Sequence, residues 1–247
     1  MGVFEKNSKA SMGLIISNNM PFAYTEAFKT LRTNLSFASI SKQNKKIVIT
    51  SSIPDEGKST LAVNLAQTLG ESGSKVLLID ADLRNPTVHQ FLRGRAGHAK
   101  GVTALLAGEA GLSECIFTSQ SLNFDCLIAG ALPPNPVELL GSNRMHELLK
   151  VLEKRYDYII CDTPPVGLVT DATVLGRYCD GVLLVVRQGF ATREQVRTAK
   201  ANLEAGNANI IGTIMTYYDF AKSGKNMNHQ YGYYYGYGNN QKSKKKR

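Results

Sequence analysis

The chain has 247 residues, 43% of them hydrophobic, and a formal net charge of +9. That length suffices for one fully cored α/β domain, and no apolar run approaches the roughly 18 residues needed to cross a bilayer. Seven basic residues against Asp219 alone place +6 of the charge in residues 217–247, so the remainder has no general claim on polyanions and no specific nucleic-acid partner is expected. Cys115, Cys126, Cys161 and Cys179 show no metal-ligand spacing, and a disulfide framework is not expected in a domain this large. The N-terminus lacks the apolar stretch of a signal peptide, and Lys6 stands where a myristoylation signal needs Ser or Thr. A reducing cytoplasm is the expected compartment.

Residues 1–20 lack sustained periodicity and are expected to form an arm. The domain proper is taken as residues 21–216. Residues 21–35 read as an amphipathic helix, with Phe22, Phe28, Leu31 and Leu35 on one face and Glu26, Lys29 and Arg32 on another. Residues 47–51 are a short β-branched run, hence a buried strand. Leu61, Leu65 and Leu69 then recur at helical spacing, and Gly70 or Gly73 is expected to end that helix. Residues 76–79 form a strand closing on Asp80, and residues 124–129 another. Helix over 143–154, strand over 158–161 closing on Asp162, strand over 182–186, helix over 192–204 and strand over 210–215 complete the series. Such alternation predicts an α/β fold with a doubly wound, mostly parallel sheet and helices on both faces. In that architecture a ligand sits at the carboxyl ends of the strands.

Those ends carry the chemistry. Ser52-Ile53-Pro54-Asp55-Glu56-Gly57-Lys58-Ser59 follows the first strand and matches the phosphate-binding loop, except that Ser52 stands where Gly or Ala is usual. Backbone N–H groups of such a loop and of the following helix hold phosphate oxygens. Ser52, Pro54, Asp55, Glu56, Gly57, Lys58, Ser59 and Thr60 are the candidate nucleotide contacts, with Lys58 reaching the β- and γ-phosphates and the Ser59 hydroxyl binding Mg²⁺. Asp80 and Asp82 follow the second strand, and Asp162 follows another. Taken singly each could be a helix N-cap; beside this loop Asp162 suits the hard, oxygen-seeking Mg²⁺.

The last 31 residues hold seven of the eleven tyrosines, among Gly, Asn, Ser and Lys with almost nothing apolar to bury them. Residues 217–247 are expected to be a flexible basic tail. A nucleotide site and exposed phenols in one chain suggest self-phosphorylation, with Tyr231, Tyr233, Tyr234, Tyr235 and Tyr237 as acceptors. The terminal Lys-Lys-Lys-Arg block could meet anionic lipid or be a solubilising end.

The combination resembles the bacterial tyrosine kinases of capsule and exopolysaccharide synthesis, a P-loop NTPase-like family. The resemblance rests on the phosphate loop, on Asp80-Ala81-Asp82-Leu83-Arg84-Asn85-Pro86, on Asp162-Thr163-Pro164-Pro165, on Gly130-Ala131-Leu132-Pro133-Pro134-Asn135-Pro136-Val137-Glu138-Leu139-Leu140 and on the tyrosine-rich end. It implies ATP and Mg²⁺ as cofactors and catalytic roles for Lys58, Asp80, Asp82 and Asp162. Ser59, Asp80 and Asp162 would then serve the metal, and Asp80 or Asp82 would accept the phenol proton. It further implies a homo-oligomeric ring, with an octamer as one size, a transmembrane chain-length regulator as activator, a tyrosine phosphatase, and recruitment to the inner face of the cell membrane. The family packs its ring through Glu-x-x-Arg-x-x-Arg on the N-terminal helix. Here Glu26, Lys29 and Arg32 occupy those places, and Lys29 lacks arginine's bidentate fork.

Two other readings share parts of this pattern. A partition or cell-division ATPase has the same sheet, loop and aspartates, but carries a second lysine at the loop position that Ile53 holds here. A tail of Tyr, Gly and Lys could also stack on single-stranded nucleic acid.

Overall fold

The computed structural model describes residues 15–16, 20–40, 45–92, 100–118 and 122–219. The first helix, α1 (Phe22–Ile40), precedes β1 (Lys46–Ser51), α2 (Lys58–Glu71) and β2 (Val76–Asp80). Four short elements follow: α3 (Val88–Phe91), α4 (Val102–Ala107), α5 (Leu112–Cys115) and β3 (Ile116–Thr118). Then come β4 (Asp125–Leu127), α6 (Pro136–Leu140), α7 (Asn143–Leu152), β5 (Tyr158–Asp162), α8 (Asp171–Gly176), β6 (Gly181–Arg187), α9 (Arg193–Ala205) and β7 (Ile210–Thr216).

Among the described residues the sheet runs β3-β4-β2-β5-β1-β6-β7. Every neighbouring pair is parallel except β3 with β4. The central strands are apolar on both faces, as a doubly covered sheet requires. In β1, Ile47 and Ile49 face the layer that holds Phe28 and Leu35 of α1 and Leu61, Leu65 and Leu69 of α2. Val48 faces the opposite layer, with Met145 and Leu149 of α7, Leu175 of α8 and Leu203 of α9. The alternation follows from the period-two geometry of a strand.

Local signals account for the helix ends. The Ser142 side chain accepts from Met145 N to start α7, and Thr192 with Gln195 forms a reciprocal capping box at α9. Two expectations differ in detail. The first helix runs on to Ile40, because residues 36–40 contain no breaker. Gly70 does not end α2 but lies inside it, where a Cβ would stand 1.7 Å from the Asn123 carbonyl oxygen. Glycine there lets the helix approach the β4 entry; the turn falls later, at Gly73 with φ +91°.

Part of the stretch expected as an arm belongs to the packed body. Ile16 is buried, and its N–H donates to Asn64 Oδ1 of α2 at 2.7 Å. On α1, Lys29 and Glu26 pair with each other at 2.8 Å on a solvent-facing side, whereas Arg32 donates to the Thr68 carbonyl of α2 at 3.1 Å. Among the described residues no helix is long and apolar enough to cross a membrane.

Candidate active site

Strand β1 ends at Ser51 between β5 and β6, so the loop that follows is flanked by the segments leaving both neighbours. Asp55 (φ 61°) and Gly57 (φ 88°) take left-handed backbone, which folds the loop back before α2 begins at Lys58. Glycine adopts that conformation without steric cost. A Cβ on Gly167 would stand 2.1 Å from the Ser52 carbonyl oxygen, so the segment after β5 lies directly against the loop.

Glu56, expected among the phosphate contacts, has its side chain turned into the base of the loop and is fully buried. Its Oε2 accepts from Ser52 N at 2.8 Å and Ile53 N at 3.0 Å, and its Oε1 accepts from Arg187 N at 2.9 Å. The carboxylate thus ties both ends of the loop to the end of β6. Arg187 also donates to the Asp55 carbonyl at 3.2 Å, and the Thr216 hydroxyl donates to the Glu56 carbonyl at 2.7 Å. Glu56→Ala would leave three N–H groups unpaired, that of Ser52 buried and those of Ile53 and Arg187 part-buried, at a cost of about 3–5 kcal/mol; urea unfolding should show the midpoint falling with an unchanged m-value, and Glu56→Gln should lose less. Pro54 and Asp55 are exposed at the loop's tip.

Asp82 and Asp162 lie within electrostatic reach of Lys58, and Asp80 lies beside both carboxylates. Asp80 and Asp162 are register partners on β2 and β5, and both are fully buried. Asp80 accepts from Asp82 N at 3.3 Å and Val88 N at 3.1 Å. Burial, then the charge of Asp162, holds its carboxyl well above the ordinary aspartate range. Asp162 is pushed up to about 7, chiefly by burial; Lys58 and the Ser59 hydroxyl oppose that rise. Neither Asp162 oxygen accepts a hydrogen bond, and the Ser52 hydroxyl is likewise buried without a partner. The Ser59 hydroxyl is thus close enough to favour the charged form yet short of hydrogen-bonding geometry. Its oxygen instead accepts from the Thr87 hydroxyl at 2.9 Å.

Asp82 is only partly buried. One oxygen accepts from Arg84 N at 3.2 Å and Asn85 N at 2.9 Å. Burial raises its pKa, against the pull of those two amides and of Lys58.

This donor set fits a nucleotide with magnesium. A buried carboxylate with no partner needs a cation or a proton, and carboxylate and hydroxyl oxygens are hard ligands. Among the described residues no three His, Cys, Asp or Glu side chains cluster tightly enough to hold a metal by themselves. A cation here would therefore take most of its ligands from phosphate and water, as Mg²⁺ commonly does.

Two contacts at the site are not announced by the sequence. Arg84 reaches α8 and pairs with the buried Asp171. Tyr217 packs its ring 3.6 Å from the position a Gly57 Cβ would take and stacks on the Arg187 guanidinium at 4.1 Å. The expected acceptors Tyr231, Tyr233, Tyr234, Tyr235 and Tyr237 lie outside the described residues.

Comparison with known proteins gives concordant results. A family model described as an AAA domain matches residues 30–205. The tyrosine-protein kinase YwqD of Bacillus subtilis (strain 168) is 39% identical over 231 residues, covering 93% of this chain and 94% of that protein. The solved kinase domain of the Escherichia coli tyrosine kinase ETK is 35% identical with a TM-score of 0.76, each chain being covered to 86%. More distant is the septum site-determining protein MinD from Pyrococcus horikoshii, solved with Mg-ADP. It is 28% identical with a TM-score of 0.58, and 69% of each chain is covered.

Proposed function

The chain belongs to the bacterial tyrosine-protein kinases, and from that premise we propose that it transfers the γ-phosphoryl group of ATP to tyrosines of its own C-terminal tail. The observation that carries this reading is the division of labour among Asp80, Asp82 and Asp162. Asp80 and Asp162 are sealed inside the sheet end, whereas Asp82 keeps solvent access and a carboxylate oriented by two backbone amides. Asp82 is therefore the group a phenol can reach.

In the proposed reaction the tyrosine oxygen attacks the γ-phosphorus as the bond to the bridging oxygen of ADP breaks. The phenol proton passes to Asp82. A free phenol has a pKa near 10 and stays protonated at neutral pH, so a nearby carboxylate lowers the barrier to its loss. Lys58 and the loop amides neutralise phosphate charge, which is the larger part of catalysis when the transition state is loose. Magnesium, when bound, supplies further neutralisation of the phosphate oxygens; Asp162, Ser59 and Asp80 would hold it directly or through water.

The tail leaves the domain at the phosphate loop itself, through Thr216 and Tyr217. Several phosphates at about −1.5 to −2 each would reverse the charge of a tail that carries +6. That reversal supports a switch: a phosphorylated tail would leave a neighbour's site and release a ring built through Glu26, Lys29 and Arg32. The same reading places the chain in capsule and exopolysaccharide synthesis at the inner membrane face. There a transmembrane chain-length regulator would act as activator and a tyrosine phosphatase as its counterpart.

Because Tyr217 contacts the loop, the informative truncation lies after Asp219. The shortened chain should bind ATP with an affinity within about twofold of the full chain and gain no phosphate mass. A truncated chain that still accepted phosphate stoichiometrically would contradict the tail as acceptor.

A further inference from the structure

Resting on the kinase reading, we propose that Asp171 is a positioning residue for phosphoryl transfer, acting through Arg84 to hold the turn that presents Asp82. The segment after β5 returns to the sheet as α8, whose first residue is Asp171. Its carboxylate is fully buried, and Arg84 Nε donates to both of its oxygens, at 3.0 and 3.2 Å. Among the described residues Arg84 is the one cation paired with it.

Arg84 has a second attachment. Its backbone N–H, together with that of Asn85, donates to Asp82 Oδ1. The turn 82–85 is thus fixed at two points: internally by the Asp82 carboxylate and externally by the guanidinium on α8. One end of this tether is the residue proposed to take the phenol proton. The other lies on the helix that follows the segment packed against the phosphate loop. The tether therefore sets the distance between the Asp82 turn and the loop that holds the phosphates.

An ion pair with a buried carboxylate is weak evidence for stability, because desolvation offsets much of the Coulombic gain, and the Arg84 side chain keeps 39% of its surface exposed. Arginine in this place offers a planar group whose direction is set by the pair. None of the residues from Ser52 to Thr60 is a partner of Arg84 or Asp171. Loss of the tether should consequently displace the base and leave nucleotide contacts in place.

The test compares Arg84→Ala, Arg84→Lys, Asp171→Asn and the double variant Arg84→Ala/Asp171→Asn with the full chain. Initial rates of tail phosphorylation are measured across ATP concentrations, and ADP-Mg affinity is measured on the same preparations. Arg84→Ala and Asp171→Asn should each lower kcat by about 10- to 100-fold with KM for ATP within about twofold. Arg84→Lys should recover part of the rate, and the double variant should be no worse than Arg84→Ala alone, as expected when two groups act as one unit. Full activity in Asp171→Asn with loss in Arg84→Ala would overturn the proposal and mean that Arg84 touches the substrates itself. A rise in KM matching the loss in rate would overturn it as well, as would unchanged kcat in both single variants. Should Asp171→Asn fail to fold, the kcat and KM of Arg84→Ala against Arg84→Lys decide the matter. If the full chain itself transfers no phosphate to tyrosine, the kinase reading fails; if it does and the variants match it, only the tether fails.

Discussion

Lys58→Met should lower phosphate transfer to tyrosine by on the order of 10³-fold, the scale seen when a preorganised charge or donor is removed from a transition state. Lys58 is buried at the start of α2, within electrostatic reach of the Asp82 and Asp162 carboxylates, which repel each other. Its charge opposes the rise in pKa of both Asp162 and Asp82. Methionine keeps the volume and loses the charge. Phosphate then meets an electronegative pocket, and the charge that develops on it in the transition state goes unneutralised. ATP affinity should weaken too, whereas unfolding by urea should show a normal cooperative transition. A variant retaining a tenth of the parent rate would remove Lys58 from the centre of the mechanism.

Asp162→Asn should stabilise the metal-free protein at neutral pH while lowering transfer by at least about 10²-fold. The carboxyl titrates at about 7 in the fold, above the roughly 3.9 of an unfolded aspartate. The folded chain therefore binds this proton more tightly than the unfolded chain does. Its contribution to stability is most favourable below about pH 4 and is lost as pH rises to about 7. The full penalty above that pH is on the order of a few kcal/mol. Asparagine carries no charge to desolvate, so the variant should gain stability relative to the parent at pH 8 and distinctly less at pH 5. Magnesium with nucleotide should raise the parent's Tm by mass action and the variant's much less. Thermal unfolding at the two pH values, with and without Mg²⁺, checks each part. A variant no more stable than the parent at pH 8 without metal would mean that Asp162 is not a strained, unpartnered charge.

The strands and long helices were legible because each carries its own periodicity. Ile47 and Ile49 against Val48 divide between the two core layers as an alternating buried strand should, and Leu61, Leu65 and Leu69 face one of them together. The phosphate loop was legible because its glycine and lysine spacing is local. The roles inside it were less so. Glu56 reads as one more loop residue, yet its carboxylate is committed to Arg187, distant by 131 positions. Arg84 and Asp171 are 87 positions apart, and no repeat or spacing announces such a pair. Gly70 was read, with Gly73, as one of two candidate stops and is a point of close approach to Asn123, a distinction that only the packed neighbour makes. The short helices α3, α4, α5, α6 and α8 each span six residues or fewer, too few for a period to emerge. The antiparallel β3 has only three.

The central claim is transfer from ATP to the chain's own tail, and intact mass addresses it most directly. The purified full chain would be incubated with ATP and Mg²⁺, with and without the cytoplasmic segment of a membrane activator, beside Lys58→Met, and then mapped by protease digestion. Increments of one phosphate each on the segment bearing Tyr231 to Tyr237, absent from Lys58→Met, are the predicted result. Release of ADP with no added mass, even with the activator present, would contradict it and leave an ATPase with an unexplained tyrosine tail.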